Sequence, residues 1–456
     1  MRYAETGYNL EIDLSRGSIE RVETDPRLTE LYLGGLGTNA KILWDRVPPE
    51  VEPFSPDNLL IFSAGILCGT PAPGANRTII SSISPQTLIM GFSIMGGFWA
   101  PELKYAGYDK VIIRGKSPDL VYLWINNDKV EIRDASHLRG KSTYDTTKLI
   151  REELKEPEVK VLAIGLAGEN RAYISSIETE SSSASRLGLG AIMGDKNLKA
   201  IAVRGTKDIH IARPAEFIDQ CNEVLKYIQY RLNNPLPGIP AILAYIGSPQ
   251  EMALHDERWH TMSFAWGNAK IRRMDFWNEE IEKQWTETLE TARKRLIGCY
   301  NCPVRCRGII EIPGHPTYVM KCFSKLTYIL AAMADDLDFG LKIASIAQSY
   351  GVDGFSTPQV IAFAIELYEA SILTDEDMPG FPSDNKERFF WLLDRIVRRE
   401  GIGDVLANGV YWAARQIGKG AEAYDHNTIK IQGFPKAASS KMVVDPALLT
   451  TRLARL

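Results

Sequence analysis

The chain has 456 residues, 45% of them apolar and 24% charged, with a formal charge of −4. That length allows two or three domains with an ample core, and the near-neutral balance excludes a basic nucleic-acid footprint and advertises no membrane surface. Six cysteines in so long a chain do not make a disulfide scaffold.

The start, MRYAETGYNLEIDLS, is polar and shows no signal-peptide core. Apolar runs such as YILAAMA are far too short to cross a bilayer, so no transmembrane segment is expected. The expectation is a cytoplasmic protein whose thiols stay reduced and open to metals.

Residues 1–210 read mostly as strands and turns. NLEIDLSRGSIERVE alternates at Leu10, Ile12 and Leu14 and turns at Arg16-Gly17; VYLWINNDKVEIRD forms a second hairpin turning near Asn127-Asp128. LLIFSAGIL, RTIISSIS, KVIIRGK, VKVLAIGLAG and LKAIAVRG are short apolar runs with the look of buried strands, and STYDTTKLIREELK is the one helix read among them. After HIARPAEF the period changes. Phe217, Cys221, Val224, Leu225 and Ile228 recur at helical spacing behind Pro214, and helical periodicity continues to ERFFWLLDRIVRREG. The fold class is therefore α+β: a β-rich N-terminal domain over 1–210, then largely α-helical domains over 211–456. The end, DPALLTTRLARL, is apolar and uncapped, as in a polypeptide that continues.

Cys299, Cys302 and Cys306 form a C-x2-C-x3-C run. A cubane cluster takes four thiolates, and zinc accepts the same ligands. No second knuckle follows, so the spacing favours a [4Fe–4S] cluster over zinc, with a fourth ligand missing or remote. Cys322 is either that ligand, a ligand of another metal, or a packed thiol. Cys68 and Cys221 read as packing residues.

Two segments, GTPAPGANRTIISSISPQ with GFSIMGGFWAPELKYAGYD, and SSSASRLGLGAIMGDKNLKAIAV, are rich in Gly, Ser and Pro. Such loops offer backbone N–H groups to anions. The second misses the dinucleotide spacing and reads as loop rather than as the entry to a helix.

RTIISSISPQT, GGFWAPELKYAGYDKVIIRGK, EIRDASHLRGK, GLAGEN, GLGAIMGDKNLKAIAVRG, CYNCPVRC and GVDGFSTPQVIAFAIELYE, in that order, resemble the aldehyde:ferredoxin oxidoreductase family of tungsten enzymes. The resemblance implies a β-rich domain cradling tungsten between two metal-binding pterins, Mg2+ bridging their phosphates, helical domains closing over the metal, and a [4Fe–4S] cluster feeding electrons to one pterin. By position, Arg77 would pair with a pterin phosphate. The backbone of Ile94, Met95 and Gly96 and the stretch holding Ser183, Ser185 and Arg186 would line the phosphates, and Asp353 would hold a pterin ring. Cys299, Cys302 and Cys306 would be three cluster ligands, with the fourth far downstream in a longer polypeptide.

Three departures from the family pattern stand out. Gln348 replaces an acid of the pterin motif. PTYV puts Val319 where aldehyde-oxidising members carry a carboxylate, and Cys322 follows three residues later as a candidate tungsten ligand. GSPQEMALHDERWHTMSFAWGN gathers Glu251, His255, Glu257 and His260 among aromatics, which suits proton delivery to a flat substrate or, more blandly, a solvated helix end. His315 reads as a turn residue or a donor near the metal loop, whereas His137, His210 and His426 carry no signal.

The departures resemble the benzoyl-CoA-reducing branch of the family. That implies an aromatic acyl-CoA substrate, dearomatised to cyclohexa-1,5-diene-1-carboxyl-CoA, with His260 as proton donor, Glu251 or Glu257 as relay and His255 in support. It also implies an iron–sulfur electron-transfer subunit or ferredoxin as partner, in a hetero-oligomer. The alternatives are an aldehyde:ferredoxin oxidoreductase, a non-catalytic iron–sulfur electron-transfer module and a zinc-stabilised binding protein.

Overall fold

The alternation at Leu10, Ile12 and Leu14 builds the first hairpin. In a computed structural model, β1 (Tyr8–Asp13) pairs antiparallel with β2 (Ser18–Glu23), register Tyr8↔Glu23 to Asp13↔Ser18, and Gly17 takes the left-handed turn position. The structure describes residues 2–233, 279–305, 307–320 and 336–425, the pairs 264–265, 271–272, 428–429 and 434–435, and residues 328 and 332.

Two six-stranded sheets carry the first half. One runs β2-β1-β6-β3-β4-β5, with β3 (Leu60–Ala64), β4 (Thr78–Ile83), β5 (Met90–Met95) and β6 (Lys110–Arg114). The other runs β11-β10-β9-β12-β7-β8, with β7 (Val121–Asn126), β8 (Lys129–Asp134), β9 (Lys160–Ile164), β10 (Ile177–Glu178), β11 (Ser183–Ala184) and β12 (Leu198–Arg204). Strand β7 reads as an unbroken apolar run because both of its faces are covered. Val121, Leu123 and Ile125 face the core shared with the first sheet, while Leu120, Tyr122 and Trp124 join a second core with Ile150 of α4 (Thr143–Leu154).

The shared core also holds two helices, α3 (Trp99–Ala106) and α6 (Leu189–Asp195). Trp99 is 1% exposed and its indole N–H donates to the Ile201 carbonyl at 3.2 Å. The sequence reading took this part of the chain as loop, and it read no helix at α1 (Pro26–Tyr32) or α2 (Gly35–Arg46). Both core helices correct it for physical reasons. Pro101 sits in the first turn of α3, where its missing N–H costs nothing. In α6 a Cβ on Gly194 would stand 1.8 Å from the Gly168 carbonyl oxygen, so that glycine answers close packing against α5 (Leu166–Glu169) rather than a ligand.

Among the described residues the remainder is mostly helical. α7 (Pro214–Asn233) opens on the expected proline. The helices Leu337–Tyr350, Ser356–Glu369 and Asn385–Arg398 bury one continuous core with Trp285 and Leu289 of the helix Glu279–Ala292. Asp384 caps the Asn385 helix by accepting from the Lys386 and Glu387 N–H groups, an interaction worth about 1 kcal/mol. With the pairs Phe264–Ala265 and Ile271–Arg272 counted as β13 and β14, a small sheet follows of β15 (Arg293–Ile297), β16 (Arg307–Ile310) and β17 (Tyr318–Met320). The two halves are joined by backbone: the Ser176 N–H donates to the Gly351 carbonyl and the Asp353 N–H to the Ile174 carbonyl, both at 2.8 Å. Among the described residues no helix is long and apolar enough to cross a membrane.

Candidate functional site

The turn after β15 carries the thiols. Cys299 and Cys302 are free, half-buried, and joined across the turn by the Cys302 N–H donating to the Cys299 carbonyl at 3.2 Å. Asn301 and Arg305 take left-handed conformations that keep the loop tightly wound. Cys306 and Cys322 lie outside the described residues, as do Glu251, His255, Glu257, His260 and His426.

The thiol loop sits on the end of β5. The Tyr300 N–H donates to Gly97 O at 3.2 Å, the Gly74 N–H donates to Asn301 O at 2.8 Å, and the Asn301 side chain donates to Pro71 O. Asn76 Nδ2 donates to Tyr300 O at 2.9 Å. The Tyr300 and Tyr105 hydroxyls stand 2.7 Å apart, and the Gly69 carbonyl lies 2.6 Å from Tyr105 and 3.1 Å from Tyr300, so one hydroxyl donates to the other and the second donates to Gly69 O. Burial, with the Tyr300 hydroxyl beside it, pushes the Tyr105 phenol well up, so it stays protonated and holds its bond.

Gly96 marks the meeting point. A Cβ there would lie 2.8 Å from Cys299 Sγ, 3.1 Å from Asn76 Oδ1 and 3.2 Å from Arg77 Nη1. The Gly96 N–H donates to Ser182 Oγ at 2.9 Å, and Arg307 Nη2 donates to the same oxygen at 2.9 Å while its Nη1 bonds Ser181 O. Arg77 is exposed and free to reach an anion. The structure thus gathers Arg77, Gly96 and Cys299 with the 181–186 stretch, which Ser93 ties to β5 by donating to Ser185 O at 2.6 Å. The Ser183 hydroxyl bonds Glu178 at 2.5 Å, and Ser176 bonds its other oxygen at 2.5 Å. Ile94 and Met95 pair with Ile79 and Thr78 of β4, which leaves the outer edge of β5 for the seam.

Asp353 lies where the helical half meets this seam. It is 1% exposed, and its carboxylate accepts from the Ser356 N–H at 2.9 Å and the Phe355 N–H at 3.2 Å. Arg186, in a left-handed conformation, stacks its guanidinium 4.8 Å from the Phe355 ring. Around them, Ser175 Oγ and Ser356 Oγ are buried without partners among the described residues. Unmet buried polar atoms beside a carboxylate, and thiols beside a guanidinium, fit a polar ring system and a soft-ligand metal group.

An open cleft of about 1090 Å3 lies beside the thiol loop, its walls including Phe98, Tyr144, Arg295, Gly298, Tyr318 and Val319. Val319 is 7% exposed, and its backbone N–H donates to the Tyr144 hydroxyl at 3.2 Å. His315 stands in a turn closed by its N–H on Ile312 O at 3.1 Å. Gln348 is buried in the helix Leu337–Tyr350. Cys68 and Cys221 are buried, and burial pushes the Cys68 thiol up to about 11, so both read as packing residues. Sequence reasoning missed Asn76, Tyr105, Tyr300 and Arg307, though Asn76 adjoins Arg77 and Arg307 adjoins Cys306.

A layered β half that seats a thiol loop at its edge, closed by helices, defines a chain of the metal-cofactor oxidoreductase class. The family description "Aldehyde ferredoxin oxidoreductase, N-terminal domain" matches residues 9–205, and "Aldehyde ferredoxin oxidoreductase, domains 2 & 3" matches 223–443. The chain belongs to the aldehyde ferredoxin oxidoreductase family. It is 33% identical over 425 residues to a tungsten-containing aldehyde ferredoxin oxidoreductase of Pyrococcus furiosus, covering 91% of this chain and 68% of that one. The Pyrococcus horikoshii counterpart is 32% identical over 429 residues, covering 90% and 67%. A solved chain from the active-site complex BamBC of benzoyl coenzyme A reductase, bound to 1,5-dienoyl-CoA, is 67% identical with a TM-score of 0.90, covering 95% of this chain and 66% of that one. The chain therefore spans about two thirds of the length of the proteins it matches.

Proposed function

We propose that this chain is part of the active-site subunit of a benzoyl-CoA reductase. It would act on the aromatic ring of benzoyl-CoA, which gains two electrons and two protons to give cyclohexa-1,5-diene-1-carboxyl-CoA. The observation that carries the reading is the identity with the dienoyl-CoA-bound complex, about twice that with the aldehyde oxidoreductases. Val319 supports it: an apolar side chain lines the cleft where an aldehyde oxidiser would place a carboxylate.

When bound, a tungsten–pterin group with Mg2+ and a [4Fe–4S] cluster would supply low-potential electrons one at a time. Cys299, Cys302 and Cys306 would hold the cluster and Cys322 the tungsten. Arg77 neutralises a pterin phosphate in concert with the edge of β5 and the stretch with Ser183, Ser185 and Arg186. Asp353 accepts from pterin N–H groups with the lone pairs its two backbone donors leave free. His260 donates a proton to the ring, Glu251 or Glu257 returns it, and His255 supports the relay. Such a reductase works in the cytoplasm with an iron–sulfur electron-transfer subunit.

The test is turnover by the anaerobically purified complex, with metal analysis. Oxidation of a reduced low-potential viologen that depends on benzoyl-CoA, with tungsten and iron present, is the expected result. His260→Ala should cost on the order of a hundredfold or more in rate. Aldehyde-dependent dye reduction without benzoyl-CoA turnover would sink the reading.

A further inference from the structure

Asn76 is not among the residues that the resemblance supplies, yet it is the side chain that connects the cradle to the thiol loop. Its Nδ2 donates to the Tyr300 carbonyl at 2.9 Å. A carbonyl only accepts, so the orientation of the amide is set and Oδ1 is the pole that points away from Tyr300. Oδ1 has no donor among the described residues, although Asn76 is 2% exposed. It lies 3.1 Å from the point beside Gly96 that is 2.8 Å from Cys299 Sγ. The nearby N–H groups also point elsewhere: Tyr300 N–H goes to Gly97 O and Cys302 N–H to Cys299 O, both at 3.2 Å.

Hydrogen bonds to cluster sulfurs stabilise the reduced, more negative state and raise its potential; an acceptor dipole in their place does the opposite. A buried oxygen without a donor is costly and persists where the site needs it. We propose that Asn76 is a positioning residue that depresses the reduction potential of the iron–sulfur centre. It presents its carbonyl end to the Cys299 side and, through the Tyr300 carbonyl, fixes the Tyr300–Asn301 peptide of the thiol loop, while the Tyr300 N–H is held by Gly97 O. The proposal rests on the [4Fe–4S] reading of the thiol loop, and a dearomatising reductase gains from the low potential.

The experiment is an EPR-monitored redox titration of the anaerobically purified complex, with iron counted per chain, for wild type, Asn76→Ala and Asn76→Asp. Asn76→Ala removes the dipole and frees the peptide. Its midpoint should rise by about tenfold in the reduction equilibrium, about 59 mV for one electron. Asn76→Asp keeps the shape and adds negative charge, so its midpoint should fall. Opposite signs are what tuning requires, because simple loosening of the loop moves both variants the same way. If Asn76→Ala loses its iron, the fall in Asn76→Asp decides alone. Unmoved midpoints, or two shifts of one sign, overturn the proposal and leave the cluster reading intact. A wild type without any reducible iron–sulfur signal overturns both.

Discussion

Gly96→Ala puts the thiol loop to a direct test. The φ angle of Gly96 is one that any residue adopts, so the added methyl meets no backbone penalty. Its cost is steric. The new carbon would stand 2.8 Å from Cys299 Sγ and 3.1 Å from Asn76 Oδ1, against an ordinary contact of about 3.5–4.0 Å. Arg77 Nη1, at 3.2 Å, ends a flexible side chain and can step aside. Asn76 is tied to Tyr300, and a Cys299 sulfur holding the proposed cluster could not retreat. Overpacking of this kind costs about 1–3 kcal/mol, which at about 1.4 kcal/mol per decade lowers affinity for the group by roughly one to two orders of magnitude. Iron per chain and the EPR amplitude of the reduced, anaerobically purified complex are the readouts. Gly96→Ala should lose much of both, and Gly96→Ser more. Full iron with an unchanged spectrum in Gly96→Ala refutes the placement of Cys299 against this glycine.

Three further outcomes follow from burial. Trp99→Ala empties the centre of the shared core and should cost about 3–5 kcal/mol in a chemical denaturation series. Asp353→Ala removes the acceptor of two N–H groups at the start of the Ser356 helix, about 1–2 kcal/mol, and should also lower pterin content; Asp353→Asn separates the two by keeping more of the fold than of the pterin. Burial pushes the Lys196 ammonium down to about 8, where it donates to Gly115 O at 3.1 Å. Between that value and the ordinary 10.5 the unfolded chain binds the extra proton, so this group makes stability rise with pH across the window, by roughly 3 kcal/mol in all. The wild-type minus Lys196→Met difference in urea midpoints should climb from pH 7 to 10, and a flat difference would rule the assignment out.

The strands were legible because period-two alternation and short apolar runs have few other solutions. Both hairpins turn where the sequence placed them, at Gly17 and Asn127. The long amphipathic helices were legible for the same reason. α3 and α6 were not, because Pro and Gly punctuate loops far more often than they serve a first turn or a close helix contact. The thiols at Cys299 and Cys302 were readable from spacing, whereas Arg77, Gly96 and Asp353 needed a family pattern. The bracing network was hidden from both. Arg307 reaches Ser182 across 125 residues and Asn76 reaches Tyr300 across 224, and no local signal announces a partner that distant.

The edge of β5 explains why the site depends on both halves. An unpaired edge strand with Phe92 and Ile94 exposed is a liability unless something covers it. Here the residue that follows β11 covers part of it, Ser185 accepting from Ser93, and the thiol loop covers its end through Gly96 and Gly97. Arg307 then closes the circuit, gripping Ser181 and Ser182 from the strand that follows the loop. The cradle is therefore complete only when the helical half has docked, and the thiols are in place only when β5 has formed. A variant that weakens the Arg307 grip should therefore loosen the seat of the thiol loop even though it touches no thiol.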